Sequence, residues 1–263
     1  MTRRAGPPQR KPQDEGLWAR LRRLTAARIG LPRSGASLAT SALLDFQLAH
    51  ARARDAVWEE LDEARLKSDL AELSLALLSV ASSARDRRHY LMRPDLGRRL
   101  APEATNVLAP HAGNYDIVFI ISDGLSARAV QSHAAPMLIR VLRPLREDGW
   151  RIAPLIIVRH GRVAIGDVIA DMLGASSAAI LLGERPGLSA PDSMGAYLTW
   201  EPKAETSDAD RNCISNIRPD RLGYAAAAAT LVRLLDAMRR LRLSGVRLKD
   251  EGELPAIERR AND

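Results

Sequence analysis

Apolar residues recur along this chain at two different periods, and the change from one to the other divides it. From Leu17 the spacing is helical: Leu17, Trp18, Leu21 and Leu24 share a face, with Arg20, Arg22 and Arg23 elsewhere. Pro32-Arg33-Ser34-Gly35 breaks the pattern. Ser37 is then placed to cap a second helix, in which Leu38, Ala42, Phe46, Ala49, Ala53 and Val57 recur three or four apart. A third helix is predicted over roughly 60–83, so the first third of the chain reads as helical.

Near residue 115 the period shortens. DIVFII (116–121), RIAPLIIV (151–158) and SAAILL (177–182) are short, almost continuous apolar runs, and AYLTW (196–200) resembles them. Helical patterns lie between and after them, over 126–146, 166–173 and about 222–242. Unbroken apolar strands alternating with helices predict a parallel sheet covered on both faces. The fold class is therefore α/β, a Rossmann-like, mostly parallel sheet with an N-terminal α-helical region. A domain plan follows: a disordered basic tail over 1–15, a helical region over 16–110, a Rossmann-like domain over 111–250 and a flexible tail over 251–263.

Charge changes the picture at one end only. The 39 Lys and Arg against 32 Asp and Glu give +7. Residues 1–35 hold nine of the cations and two of the acids, so that flank carries the whole excess and the remaining 228 residues balance. A basic flank admits a nucleic-acid-binding reading, since phosphate neutralisation dominates such affinity. It is equally the mark of a solvated extension. The longest uncharged apolar-leaning run, YAAAAATLV (224–232), is well short of the roughly 20 residues a spanning helix needs. The first fifteen residues lack the apolar stretch of a secretory signal. Cys213 is the single cysteine, which excludes an intrachain disulfide and fits a reducing compartment. The five histidines have no paired helical spacing, and no phosphate loop with its lysine occurs, so no protein-held zinc is expected.

Ligands of open parallel sheets bind beyond the carboxyl ends of the strands. Those ends are Ser122-Asp123-Gly124-Leu125-Ser126, Arg159-His160-Gly161-Arg162-Val163 and Gly183-Glu184-Arg185-Pro186-Gly187-Leu188. Asp123 is either a general base or the cap of the following helix. Glu184 and Arg185 are a reactive pair, or else an acceptor at a sheet edge beside a surface cation. His160 is an acid or simply hydrogen-bonded. Cys213 is a nucleophile or a small buried hydrophobe. No complete acid/base or nucleophilic set emerges, so the residues describe a binding subunit better than a complete enzyme.

These loops carry a resemblance. GERPGLSAPDSMGAYLTW (183–200) and DADRNCISNIRP (208–219) resemble the small subunit of adenosylcobalamin-dependent ethanolamine ammonia-lyases. LRRLTAARIGLPRSGASLAT (21–40), LLDFQLAHARARDAV (43–57), YLMRPDLGRRL (90–100) and SDGLSARAV (122–130) extend it from about Leu21 to Leu243. The resemblance implies a large-subunit partner that holds ethanolamine and the catalytic residues, with the 16–110 region docking on it. It implies a cobalamin cofactor contacted here by Val163, Glu184 and Cys213, and no cobalt ligand from this chain. The family chemistry is radical deamination to acetaldehyde and ammonia. A bacterial microcompartment, or otherwise the soluble cytoplasm, is the location it implies.

Overall fold

The computed structural model describes residues 16–250 apart from Ala204, so both predicted tails lie outside the described residues. Two compact units divide at Arg52/Ala53. The first contains α1 (Leu17–Arg23), a small antiparallel hairpin of β1 (Arg33–Ser34) and β2 (Ser37–Leu38), and most of α2 (Thr40–Trp58). The hairpin fills the predicted break. Gly35, at φ 62°, supplies its turn, and Ser37 pairs with Ser34 rather than capping a helix. Leu43, Leu44, Phe46 and Leu48 of α2 are exposed.

The second unit begins with α3 (Glu63–Leu70), whose N-terminus is capped by Asp62 accepting from the Arg65 amide at 3.0 Å. The helix expected over 60–83 ends there. After a 3-10 turn over 71–73, Ser74 takes a left-handed φ of 51°, and the chain continues as β3 (Leu77–Ala81). The 16–110 region, expected to be helical, thus also gives the sheet an edge strand. There follow α4 (Arg87–Met92), α5 (Ala104–Leu108), β4 (Val118–Ser122), α6 (Ala127–Glu147), β5 (Leu155–Arg159) and α7 (Ile165–Leu173). The chain then forms β6 (Ser177–Gly183), β7 (Met194–Trp200), β8 (Arg211–Ile217) and α8 (Tyr224–Leu241).

The six-stranded sheet has the order β3-β5-β4-β6-β7-β8. β3, β5, β4 and β6 are parallel, the last three as expected. β7 and β8 are antiparallel additions, so the fourth predicted strand exists but runs the other way, and β8 is an unpredicted sixth strand. Every residue of β4 and of β6 is buried. Side chains alternate between two cores. Phe119, Ile121, Ile157 and Leu181 pack under α3, α6 and α8, whereas Val118, Ile120, Val158 and Ile180 pack under α5 and α7. Each fully buried aliphatic or Phe side chain stabilises the fold by roughly 1.5–3 kcal/mol. A sheet sealed on both faces leaves its carboxyl edge and its antiparallel end as the places where polar groups gather. Among the described residues no helix is long and apolar enough to cross a membrane.

Candidate functional site

Beyond β4 the chain goes through α6 to β5 on one side, then through α7 to β6 on the other. Such a reversal opens a crevice at the carboxyl ends. The three glycine-bearing loops meet there, and their glycines serve the meeting. Gly124 sits at φ 51°, and a Cβ on it would come within 2.4 Å of the Gly183 carbonyl oxygen. A Cβ on Gly183 would lie 2.0 Å from the Ser126 carbonyl oxygen. No side chain fits at either point. The backbone approach read from the sequence is real, but it is an approach of loop to loop.

Asp123 lies under this junction with its side chain 1 % exposed. Its carboxylate accepts from Arg87 Nη1 at 3.1 Å and from the His160 backbone amide at 2.7 Å. His160 Nδ1 lies 3.2 Å from it and donates, since a carboxylate oxygen can only accept. His160 holds a left-handed φ of 59° in making this contact. The helix cap is instead Ser126, whose hydroxyl accepts from the Ala129 amide at 3.3 Å. Neither the capping role nor the general-base role expected for Asp123 survives: it is a sealed clamp holding the β4 and β5 loops to α4. Its histidine partner is 37 residues away, out of reach of any local motif.

A cleft of about 600 Å³ opens beside the clamp, between the β5 and β6 loops and the segment leading into β8. Val163 and Glu184, two of the residues named from the sequence, line it together. Leu125, Leu182 and Tyr197 supply apolar wall, and Arg98, Arg162, Arg185 and Arg211 supply charge. Sequence reasoning named Arg185 and placed Arg162 in a strand-end loop, but missed Arg98, Arg211 and both tyrosines, Tyr90 and Tyr197, because nothing in their local pattern distinguishes them. Arg211 closes one end through a buried ion pair with Asp167 of α7 and a 3.0 Å contact to Asp208. Burial pushes the Asp167 carboxyl upward, and the guanidinium opposes the shift.

Glu184 is a junction. Its carboxylate accepts from the hydroxyls of Ser193 and Ser215, the latter at 2.5 Å, and from the Asn216 amide at 3.3 Å. A Cβ on Gly195 would meet its Oε1 at 2.9 Å, so the side chain lies flat over β7. It is thus bound to the β6 loop, β7 and β8 at once, and Arg185 beside it forms no pair with it. Cys213 lies outside the cleft lining, on β8 opposite Tyr197, which does line it. It is exposed, which overturns the buried-hydrophobe reading. Desolvation against the sheet raises the thiol's pKa, and the hydrogen bond with Tyr197 only partly opposes this. A thiol pushed upward is a poor nucleophile at neutral pH.

Among the described residues the cleft brings together no complete acid/base or nucleophilic set. The chain matches the family model described as "Ethanolamine ammonia-lyase light chain (EutC)" over residues 15–249. It belongs to that family. An ethanolamine ammonia-lyase small subunit of Azotobacter vinelandii is 51% identical over 253 residues, covering 95% of this chain and 94% of the relative. One from Ralstonia nicotianae is 50% identical over 245 residues, covering 92% and 91%. A third, from Pseudomonas fluorescens strain SBW25, is 48% identical over 256 residues, covering 96% and 92%. An ethanolamine ammonia-lyase light chain is one component of a lyase, with a large subunit as its counterpart. A division in which the large subunit carries the catalytic residues is consistent with this family.

Proposed function

We propose that this chain is the small subunit that helps a large subunit bind adenosylcobalamin for the deamination of ethanolamine. The observation that carries the proposal is the open cleft uniting Val163 and Glu184 at the sheet's carboxyl edge, lined also by Tyr197, whose neighbour on the adjacent strand is Cys213. Pockets of 300–1,000 Å³ enclose drug-sized ligands. A corrinoid is several times larger, so a cleft of about 600 Å³ grips one edge of it and leaves the rest to a partner.

The residues fit such an edge. Corrin side chains end in neutral amides, each with N–H donors and a carbonyl acceptor. Glu184 spends three accepting positions on Ser193, Ser215 and Asn216, and a carboxylate has about four. One remains for an amide N–H. Val163 offers apolar contact at the mouth of α7, and Cys213 with Tyr197 offers a small thiol beside a phenol on the adjacent strands. When bound, the cofactor supplies the carbon radical that starts the rearrangement. This chain's residues hold its rim, fix its orientation and help exclude water. The basic-flank, nucleic-acid reading gains no support from the family or its relatives.

The exposed leucines and Phe46 of α2 are the part of the 16–110 region we assign to large-subunit docking. The test is co-expression with a large subunit. The purified pair is expected to carry a red corrinoid chromophore and to release ammonia and acetaldehyde from ethanolamine. This chain alone is expected to do neither at a measurable rate. Turnover by the isolated chain, or a co-purified pair that binds no corrinoid, would refute the reading. Leu44→Ser with Phe46→Ser should lower recovery of the pair while leaving the melting temperature of the chain alone near wild type.

A further inference from the structure

The cleft contains more positive charge than its own carboxylates answer. Four arginines and two acids line it, and Arg211 is already committed to Asp167 and Asp208. Arg98, Arg162 and Arg185 form no ion pair and no side-chain hydrogen bond among the described residues. Arg98 and Arg185 are exposed, so water answers them at little cost. Arg162 is different. Its Nε is buried with no hydrogen-bond partner, and the Nε of Arg211 is in the same condition. A buried, unpaired donor on a charged group is expensive, which makes it informative.

Arg162 is also held still without using its donors. Its guanidinium carbon lies 4.6 Å from the Tyr90 ring centroid, a cation–π arrangement. Its stem runs so close to Gly97 that a Cβ there would come within 2.8 Å of Arg162 Cγ. Tyr90 is itself fixed, fully buried, with its hydroxyl donating to the Gly161 carbonyl at 3.1 Å. Stacking and packing thus orient a planar fork whose N–H groups remain free. That is a preorganised anion receptor, and a guanidinium fork suits the two oxygens of a phosphate.

This inference rests on the corrinoid reading above. The periphery of a cobalamin is neutral amides except at one place, the phosphodiester that ties its nucleotide loop to the macrocycle. We propose that Arg162, with Arg98 and Arg185 beside it, receives that phosphodiester. The cleft would then read the nucleotide tail as well as the corrin rim, and prefer complete corrinoids over those lacking it.

The test measures dissociation constants of the large–small complex for cyanocobalamin and for cobinamide, which lacks the nucleotide and its phosphate. Absorbance titration reads both without turnover. Arg162→Gln is expected to weaken cyanocobalamin about ten- to hundredfold and leave cobinamide within about twofold. Arg162→Lys should fall between, keeping the charge and losing the fork. Equal weakening of both ligands, or no weakening of either, overturns the assignment. A wild-type complex that binds neither corrinoid refutes the cofactor reading itself, and this inference with it. Should Arg162→Gln fail to fold, the exposed pair Arg98→Gln and Arg185→Gln gives the same contrast. Loss confined to cyanocobalamin then supports the assignment, and any other pattern overturns it.

Discussion

Glu184 stands between two roles that a single substitution would confuse. Its oxygens knit Ser193, Ser215 and Asn216 together, and the residue also lines the cleft. Glu184→Ala deletes both functions, and is expected to cost the complex about 1.5–3 kcal/mol of corrinoid affinity and to lower the melting temperature of the free chain. Glu184→Gln should recover most of the melting temperature, because the serine hydroxyls can rotate to suit an amide. A full loss of affinity in Glu184→Ala with unchanged affinity in Glu184→Gln would assign the ligand contact to acceptor geometry rather than to charge. Unchanged affinity in the alanine variant would take Glu184 out of the site. Cys213 gives a cleaner contrast. Cys213→Ser should change corrinoid affinity a few-fold and leave turnover at saturating cofactor near wild type. A serine variant with normal binding but lost turnover would show that the thiol does chemistry.

At the scale of elements, one buried histidine ties three of them. His133 of α6 lies 3.0 Å through Nε2 from the Asp192 carbonyl and 2.8 Å through Nδ1 from the Tyr224 hydroxyl at the start of α8. A carbonyl only accepts, so Nε2 carries the proton and Nδ1 accepts from the tyrosine. Protonating Nδ1 would break that arrangement, and burial lowers the imidazole's pKa. The unfolded chain therefore takes up the proton more readily than the native one. His133 supports the fold fully above its unfolded value, near 6.5, and loses that support as the pH falls through its lower native value. Thermal melts from pH 7 to pH 5 should show a decline that His133→Gln reduces. An identical slope in the two proteins would remove His133 from the acid sensitivity.

The elements also show what a sequence can display. β4, β5, β6 and α6 were readable because each keeps one period from end to end and is buried on the faces that period predicts. β3 was not. Leu66, Leu70, Leu73 and Leu77 keep a helical spacing of four, three and four, and the helical turns stop at Ser74, a non-glycine residue in left-handed backbone. β8 hid for another reason. Its buried residues, Arg211, Ile214 and Ile217, are three apart, because the β7–β8 register shifts near Met194 and Ala196 and breaks the alternation. The site followed the same rule: the strand-end loops were visible, and Glu184 with Val163 among them. The Arg87–Asp123–His160 clamp joins residues 36 and 37 positions apart, and only the folded sheet brings them together.

For the molecule as a whole, the glycine junction sets an order of events. Gly124 and Gly183 let the β4 and β6 loops touch, and the clamp at Asp123 ties the β4 loop to α4 and to the β5 loop. Each contact spans dozens of residues, so none can close before β4, β5 and β6 have paired, and pairings this distant in sequence form late. The cleft therefore has no partial version on a nascent chain. Ligands or partners that need the whole cleft are expected to meet the folded sheet rather than any isolated loop. What they can do is hold the finished state by mass action, raising its stability with concentration and affinity alone. Recruitment of a partner is then expected to follow completion of the sheet.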